Sequence, residues 1–171
     1  MAEKLRPLVG IVMGSDTDLP IMTETARTLK KFGVPFEVGI SSAHRAPART
    51  AEYARSAIER GLKVIIVAAG GAAHLGGGIA AETTLPVIAV PLVTTPLAGL
   101  DALLSMVQMP GGVPVACMAI GKPGAINAAV LAVQILATCD AALAKKLADY
   151  KEELARAVAA KSAQVKRGLR A

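Results

Sequence analysis

Only two histidines occur in these 171 residues, and each stands in a segment suited to holding an anion or closing on a small ligand. His44 lies in Ser42-Ala43-His44-Arg45. An arginine with backbone N–H groups and a hydroxyl forms a seat for phosphate or carboxylate. An imidazole beside that seat, titrating near neutrality, is placed to pass a proton, although position alone leaves a structural histidine open. His74 lies in Gly70-Gly71-Ala72-Ala73-His74-Leu75-Gly76-Gly77-Gly78, where five glycines in nine residues exceed what one turn requires. Such a loop lets backbone amides approach a planar group the size of a carboxylate or carbon dioxide. A third segment, Gly14-Ser15-Asp16-Thr17-Asp18, reads first as a helix cap. Its N–H groups also favour phosphate, and Asp18 can accept from ribose hydroxyls.

The chemistry these segments exclude is equally informative. No Gly-x-Gly-x-x-Gly follows the first strand and no Gly-Lys-Ser/Thr occurs, which disfavours dinucleotides and ATP. Neither histidine loop contains Asp or Glu, so no metal is assigned. Cys117 and Cys139 lie in apolar surroundings without metal-ligand spacing and are expected to be buried thiols. The net charge of +6 invites a nucleic-acid reading, but residues 140–171 hold eight Lys/Arg against four Asp/Glu, leaving +2 for the rest. With Phe32, Phe36, Tyr53 and Tyr150 as the only aromatics, stacking platforms for single strands are missing, and no nucleic-acid partner is expected.

The elements that must position these segments follow from the hydrophobic pattern. Leu8–Met13 is an apolar run of strand length, residues 20–31 suit a helix ended by Gly33-Val34-Pro35, and Phe36–Ser41 reads as a second strand. Pro47 opens a helix that reaches a stop at Gly61, and Lys63–Ala69 is a third strand. Strands near 86–90 and 113–119 continue the series around a short helix at 99–107. Doubly apolar strands alternating with helices point to a parallel sheet covered on both faces, the doubly wound arrangement. The three candidate segments then lie at the carboxyl ends of their strands, on one edge of the sheet. Residues 125–137 form an apolar helix, and 141–165 a charged helix striped by Leu143, Leu147, Tyr150, Leu154 and Val158. Residues 166–171 are expected to be a loose tail.

From Val64 to Cys139 the only formally charged side chains are Glu82, Asp101 and Lys122. Prolines and the Gly111-Gly112 pair break this stretch into pieces too short to span a membrane. Burial between subunits is the expected alternative, giving a homo-oligomer. The first residues lack the apolar stretch of a secretory signal, so a cytoplasmic protein of one domain, residues 1–171, is expected.

Taken in order, Gly14-Ser15 with Asp18, Ser42-Ala43-His44-Arg45, Gly70 to Leu75, Ser105-Met106-Val107-Gln108-Met109-Pro110 and Asn127-Ala128-Ala129 resemble the PurE family across roughly residues 8–140. The resemblance implies a cofactor-free N5-carboxyaminoimidazole ribonucleotide mutase of purine biosynthesis. His44 would be its proton shuttle, Ser15, Asp18, Ser42 and Arg45 would hold the ribose phosphate, and Gly70 to Leu75 would enclose the migrating carboxyl group. It also implies a homo-octamer of three-layer α/β/α subunits whose C-terminal helix reaches a neighbour. The chain departs from the family pattern in carrying Gly76 in place of Pro, Ala46 in place of Thr, and Ala102 in place of Ser. Direct carboxylation of aminoimidazole ribonucleotide is the nearest rival reaction. A flavodoxin-like binding or signalling module is the rival of a different class. Against it, no aromatic flanks the loops to stack a flavin, and Ala68-Ala69-Gly70 stands where a phosphoacceptor Asp belongs.

Overall fold

In a computed structural model, residues 6–169 form a five-stranded parallel sheet with helices on both faces. In chain order the elements are β1 (Val9–Met13), a 3-10 turn (Asp16–Asp18), α1 (Leu19–Phe32), β2 (Phe36–Ile40), α2 (Pro47–Arg55), β3 (Val64–Gly70) and α3 (Leu75–Ala80). They continue with β4 (Val87–Leu92), α4 (Leu100–Val107), β5 (Ala116–Cys117), α5 (Lys122–Ala137) and α6 (Ala141–Gly168). The strand order is β2-β1-β3-β4-β5. The chain therefore reverses its direction of travel across the sheet between β1 and β3, and the loops leaving those two strands diverge. A crevice opens at such a switch point, where ligands bind in open parallel sheets.

The two faces follow from the two-residue period of a strand. Val9, Ile11, Met13, Val64, Ile66, Ala68, Ile88 and Val90 pack beneath α1 and α5. Val12, Ile65, Val67, Val87 and Ala89 face the other layer, with Ala54, Ala57, Ile79 and Met106. Gly10 belongs to this second face, and a Cβ there would overlap the buried Tyr53 hydroxyl. Across the first face, Thr25 Oγ1 donates to the Ala125 carbonyl at 2.8 Å, tying α1 to α5.

Several boundaries differ from expectation for local reasons. The helix opened by Pro47 ends at Arg55, because the Ser56 hydroxyl donates to the Glu52 carbonyl at 2.7 Å and turns replace the last stretch before Gly61. The strand expected over 113–119 contracts to Ala116–Cys117 at the sheet edge, beside Pro114, which has no ladder donor. Helix α5 starts three residues early, on Lys122-Pro123, since proline suits the first helical turn. Within the glycine-rich segment a six-residue helix, α3, forms despite three consecutive glycines. Gly76 lies against Val67 and Ala89, where a side chain would be tight. Of the two cysteines expected to be buried, Cys117 is half-buried and Cys139 is exposed.

Helix α6 begins on an Asp140 cap whose carboxylate accepts from the Ala142 and Leu143 N–H groups. Its first turns are anchored by buried Leu143, by an edge-on contact of Tyr150 with Phe32 (5.3 Å), and by the Lys31–Glu153 ion pair. Beyond these the stripe is uncovered, with Leu154 49% and Val158 68% exposed. The helix continues to Gly168 instead of fraying from residue 166, as its Ala/Lys/Arg composition and basic last turn favour. Of the expected tail, Arg170 and Ala171 lie outside the described residues.

Candidate functional site

Each of the three site segments leaves the carboxyl end of a strand, and the switch point brings them around one cleft of about 240 Å³. Gly14 continues the β1 ladder by donating to the Ala68 carbonyl at 3.0 Å, which places Ser15 over the end of the sheet. Ser15 caps the following turn: its Oγ accepts from Thr17 N–H at 3.3 Å while Asp18 Oδ2 accepts from Ser15 N–H at 3.1 Å. Asp18 is only 4% exposed. Burial pushes its carboxyl up, against the pull of the Ser15 and Gly14 backbone groups. It thus presents a poorly solvated acceptor at the cleft wall.

From the end of β2, Ser41 N–H donates to Met13 O at 2.9 Å, and Ser42, Ala43 and His44 then turn along the cleft before α2. Ala46, the residue before α2, offers no side-chain cap. Arg45 sits outside the cleft lining. Its Nε donates to Ser42 Oγ at 3.4 Å and its guanidinium reaches the Gly14 carbonyl at 3.5 Å. It therefore bridges the first and second loops at the outer rim, where an anion can meet it.

After β3 the backbone turns at Gly70 and Gly71, the latter left-handed with φ of 59°. Gly70, Ala72, His74 and Leu75 line the cleft, whereas Ala73 is buried in the core with 1% exposure and Gly71 supplies backbone geometry. A Cβ on Gly70 would collide with the Thr94 side chain. The central feature is the meeting of the two histidines: His44 Nε2 and His74 Nδ1 lie 2.8 Å apart, with the rings edge-on at 74°. One nitrogen donates and the other accepts, so at least one ring is neutral. The contact spans 30 residues of sequence and holds both imidazoles at the cleft. Thr17, Ala69 and Thr94 also line it. Thr17 belongs to the first loop's candidate segment; Ala69 and Thr94 were not foreseen, although the Thr94-Thr95 step directly beyond the apolar run of β4 is the same kind of polar signal that marked the other loops.

Among the described residues, no group of three or more His, Cys, Asp or Glu could hold a metal ion, and no helix is long and apolar enough to cross a membrane. The arrangement is a parallel α/β cleft with a hydrogen-bonded histidine pair, a helix-cap loop and a glycine-rich loop at a topological switch point.

Comparison with known proteins identifies the family and the fold. A family profile described as AIR carboxylase matches residues 8–157, and the chain belongs to this family. An N5-carboxyaminoimidazole ribonucleotide mutase of Pyrococcus horikoshii is 55% identical over 92% of this chain and 88% of its own length. The protein of the same name from Bacillus subtilis is 53% identical over 94% of this chain and 99% of its own. Among solved structures, Treponema denticola PurE superposes with a TM-score of 0.82 at 29% identity, covering 93% of this chain and 98% of that one.

Proposed function

We propose that this protein is an N5-carboxyaminoimidazole ribonucleotide mutase, moving a carboxyl group from the exocyclic nitrogen to C4 of the same imidazole in purine biosynthesis. The observation that carries this reading is the His44–His74 pair, 2.8 Å apart, on a cleft walled by the glycine-rich loop. The relatives named above, more than half identical over nearly the whole chain, support the substrate assignment.

The chemistry asked of the cleft is modest. The N5 carbamate loses carbon dioxide as its nitrogen gains a proton; C4 of the ring then attacks the carbon dioxide and gives up its proton. The carbon–nitrogen bond broken is replaced by a carbon–carbon bond, and the proton delivered in the first half is recovered in the second. One imidazole can serve both halves, and His44 is assigned that role. The bond to His74 keeps the His44 ring turned to the cleft before substrate arrives. Carbon dioxide held by the Gly70 to Leu75 loop is recaptured in a nearly unimolecular step, which removes the need to bind it from solution.

Ser15, Asp18, Ser42 and Arg45 are assigned to the ribose phosphate. Asp18 is the acceptor for ribose hydroxyls, and the Ser15 hydroxyl, the turn's N–H groups and Arg45 are the donors for phosphate. Gly14 and Ala43 supply backbone at the mouth of the cleft. No cofactor enters this reaction as written.

The assembly is assigned as a homo-oligomer, an octamer by family resemblance, working in the cytoplasm. Its support is the exposure, on a single chain, of Val93, Leu97, Leu100, Leu104 and Val107, all within the charge-poor stretch. The uncovered outer half of the α6 stripe supports its packing on a neighbouring subunit.

The test is carbon NMR of the purified protein with N5-carboxyaminoimidazole ribonucleotide labelled in its carboxyl group. The label is expected to move from the carbamate to the C4 carboxylate resonance at the rate of turnover; an enzyme that leaves the carbamate to decay at its uncatalysed rate is not a mutase. The family's description as AIR carboxylase favours one second reading, direct carboxylation of aminoimidazole ribonucleotide. It differs in drawing carbon dioxide from solution.

A further inference from the structure

The two threonines beyond β4 are used differently. Thr95 donates to Asp101 Oδ2 at 2.6 Å and accepts from Leu97 N–H at 3.2 Å, which occupies its hydroxyl in bracing the turn that leads to α4. That turn carries Ala98 and Gly99 in left-handed conformations, with φ of 52° and 84°. Thr94 faces the cleft beside Gly70, Ala72 and His74, and its hydroxyl has no hydrogen-bond partner among the described residues. The residue is exposed, and its side chain packs on Gly70. It occupies the space a Cβ on Gly70 would take, and its Oγ1 lies 4.0 Å from the corresponding position on Gly71. The missing side chain at residue 70 thus makes room for a threonine, and that threonine offers an unpaired hydroxyl directly against the loop assigned to the carboxyl group.

We infer that Thr94 is a substrate-recognition residue whose hydroxyl donates a hydrogen bond to the carboxyl group enclosed by the Gly70 to Leu75 loop. The inference rests on the mutase reading of the same cleft. A carboxylate accepts hydrogen bonds and cannot donate them; of the side-chain donors lining the cleft, Ser15, Thr17 and Ser42 stand on the two loops assigned to the ribose phosphate, which leaves Thr94 and the histidines for the carboxyl group. The histidines are committed to proton transfer and to each other. A hydroxyl donor at this position distinguishes the carboxylated nucleotide from aminoimidazole ribonucleotide, which lacks the carboxylate.

The experiment compares wild type with Thr94→Val, which keeps the packing on Gly70 and removes the hydroxyl, and with Thr94→Ser, which keeps the hydroxyl. Affinities for 4-carboxy-5-aminoimidazole ribonucleotide and for aminoimidazole ribonucleotide are measured by calorimetry. Circular dichroism and thermal melting confirm that each variant is folded. Thr94→Val is expected to weaken binding of the carboxylated nucleotide by about 10- to 100-fold, as for a lost hydrogen bond to a charged group, and to leave the other ligand unchanged. Thr94→Ser is expected to bind both as wild type does. Thr94→Ala serves as a second hydroxyl-deleting variant if the valine disturbs folding, with the same selective loss expected. Equal losses for the two ligands, or no loss for either, would overturn the role of Thr94. Failure of the wild type to bind either nucleotide would instead overturn the mutase reading.

Discussion

Replacing His44 by Asn keeps a side chain of similar polarity and removes the group that titrates. Proton transfer by a positioned side chain contributes about 10²- to 10⁴-fold. His44→Asn is therefore expected to reduce kcat by about 10²- to 10⁴-fold while nucleotide affinity, measured by calorimetry, is retained. Arg45→Ala is expected to act on the other term, weakening ribonucleotide binding by roughly 10-fold through loss of a charge-assisted hydrogen bond. An unchanged affinity would remove Arg45 from the phosphate seat. Asp18 makes a stability prediction. Because burial raises its carboxyl in the folded protein, the ionised side chain costs stability at neutral pH, and the cost shrinks as pH falls through the raised folded value. Asp18→Asn is thus expected to be at least as stable as wild type at pH 7 and to lose that advantage in acid, as read by denaturant melts across pH. Nucleotide binding should weaken at the same time. His44, His74 and Asp18 were legible from residue type and from their places after strands. Their mutual geometry was not, because the 2.8 Å bond between His44 and His74 depends on how two loops 30 residues apart meet at the crevice. Ala73 illustrates the converse: adjacent to functional residues in sequence, its side chain points into the core.

Strand order explains why loops distant in sequence share a cleft. Period and punctuation revealed β1 to β4 and the alternating helices, since apolar runs bounded by Gly, Pro and cap residues carry a strong local signal. Helix α3 had no such signal. Three glycines oppose helix formation, at ~1 kcal/mol each relative to Ala, and the segment is helical because Leu75 and Ile79 are buried against the sheet. The contact between the β3 and β4 loops can be tested by a double-mutant cycle. Gly70→Ala alone is expected to lower stability by roughly 1–3 kcal/mol through overpacking against Thr94. Added Thr94→Ala, which removes the two nearest colliding atoms, Oγ1 and Cγ2, and keeps Cβ, is expected to recover part of the loss. Strictly additive losses would show that the two loops do not press on one another.

On the molecule as a whole, the charge distribution has two consequences. The surplus of +6 sits mainly on α6 and the residues after it, so the proposed anion recognition would rest on Arg45, loop N–H groups and the Ser15 turn. The charge-poor middle leaves Leu97 62% and Leu104 47% exposed on the isolated chain, surfaces that a second subunit would cover. Leu97→Asp combined with Leu104→Asp is expected to yield a monomer in sedimentation velocity at micromolar concentration, where wild type sediments as a single oligomer. A wild-type chain that is itself a stable monomer would contradict the assembly. The central claim is that carbon dioxide stays in the cleft between its release and its recapture, and one measurement addresses it directly. Turnover of unlabelled N5-carboxyaminoimidazole ribonucleotide is started in buffer containing carbon-13 bicarbonate, and the C4 carboxylate of the first product is analysed by mass spectrometry. Product is expected to remain essentially unlabelled while substrate is consumed; product labelled at the full rate of turnover would contradict retention of carbon dioxide in the cleft.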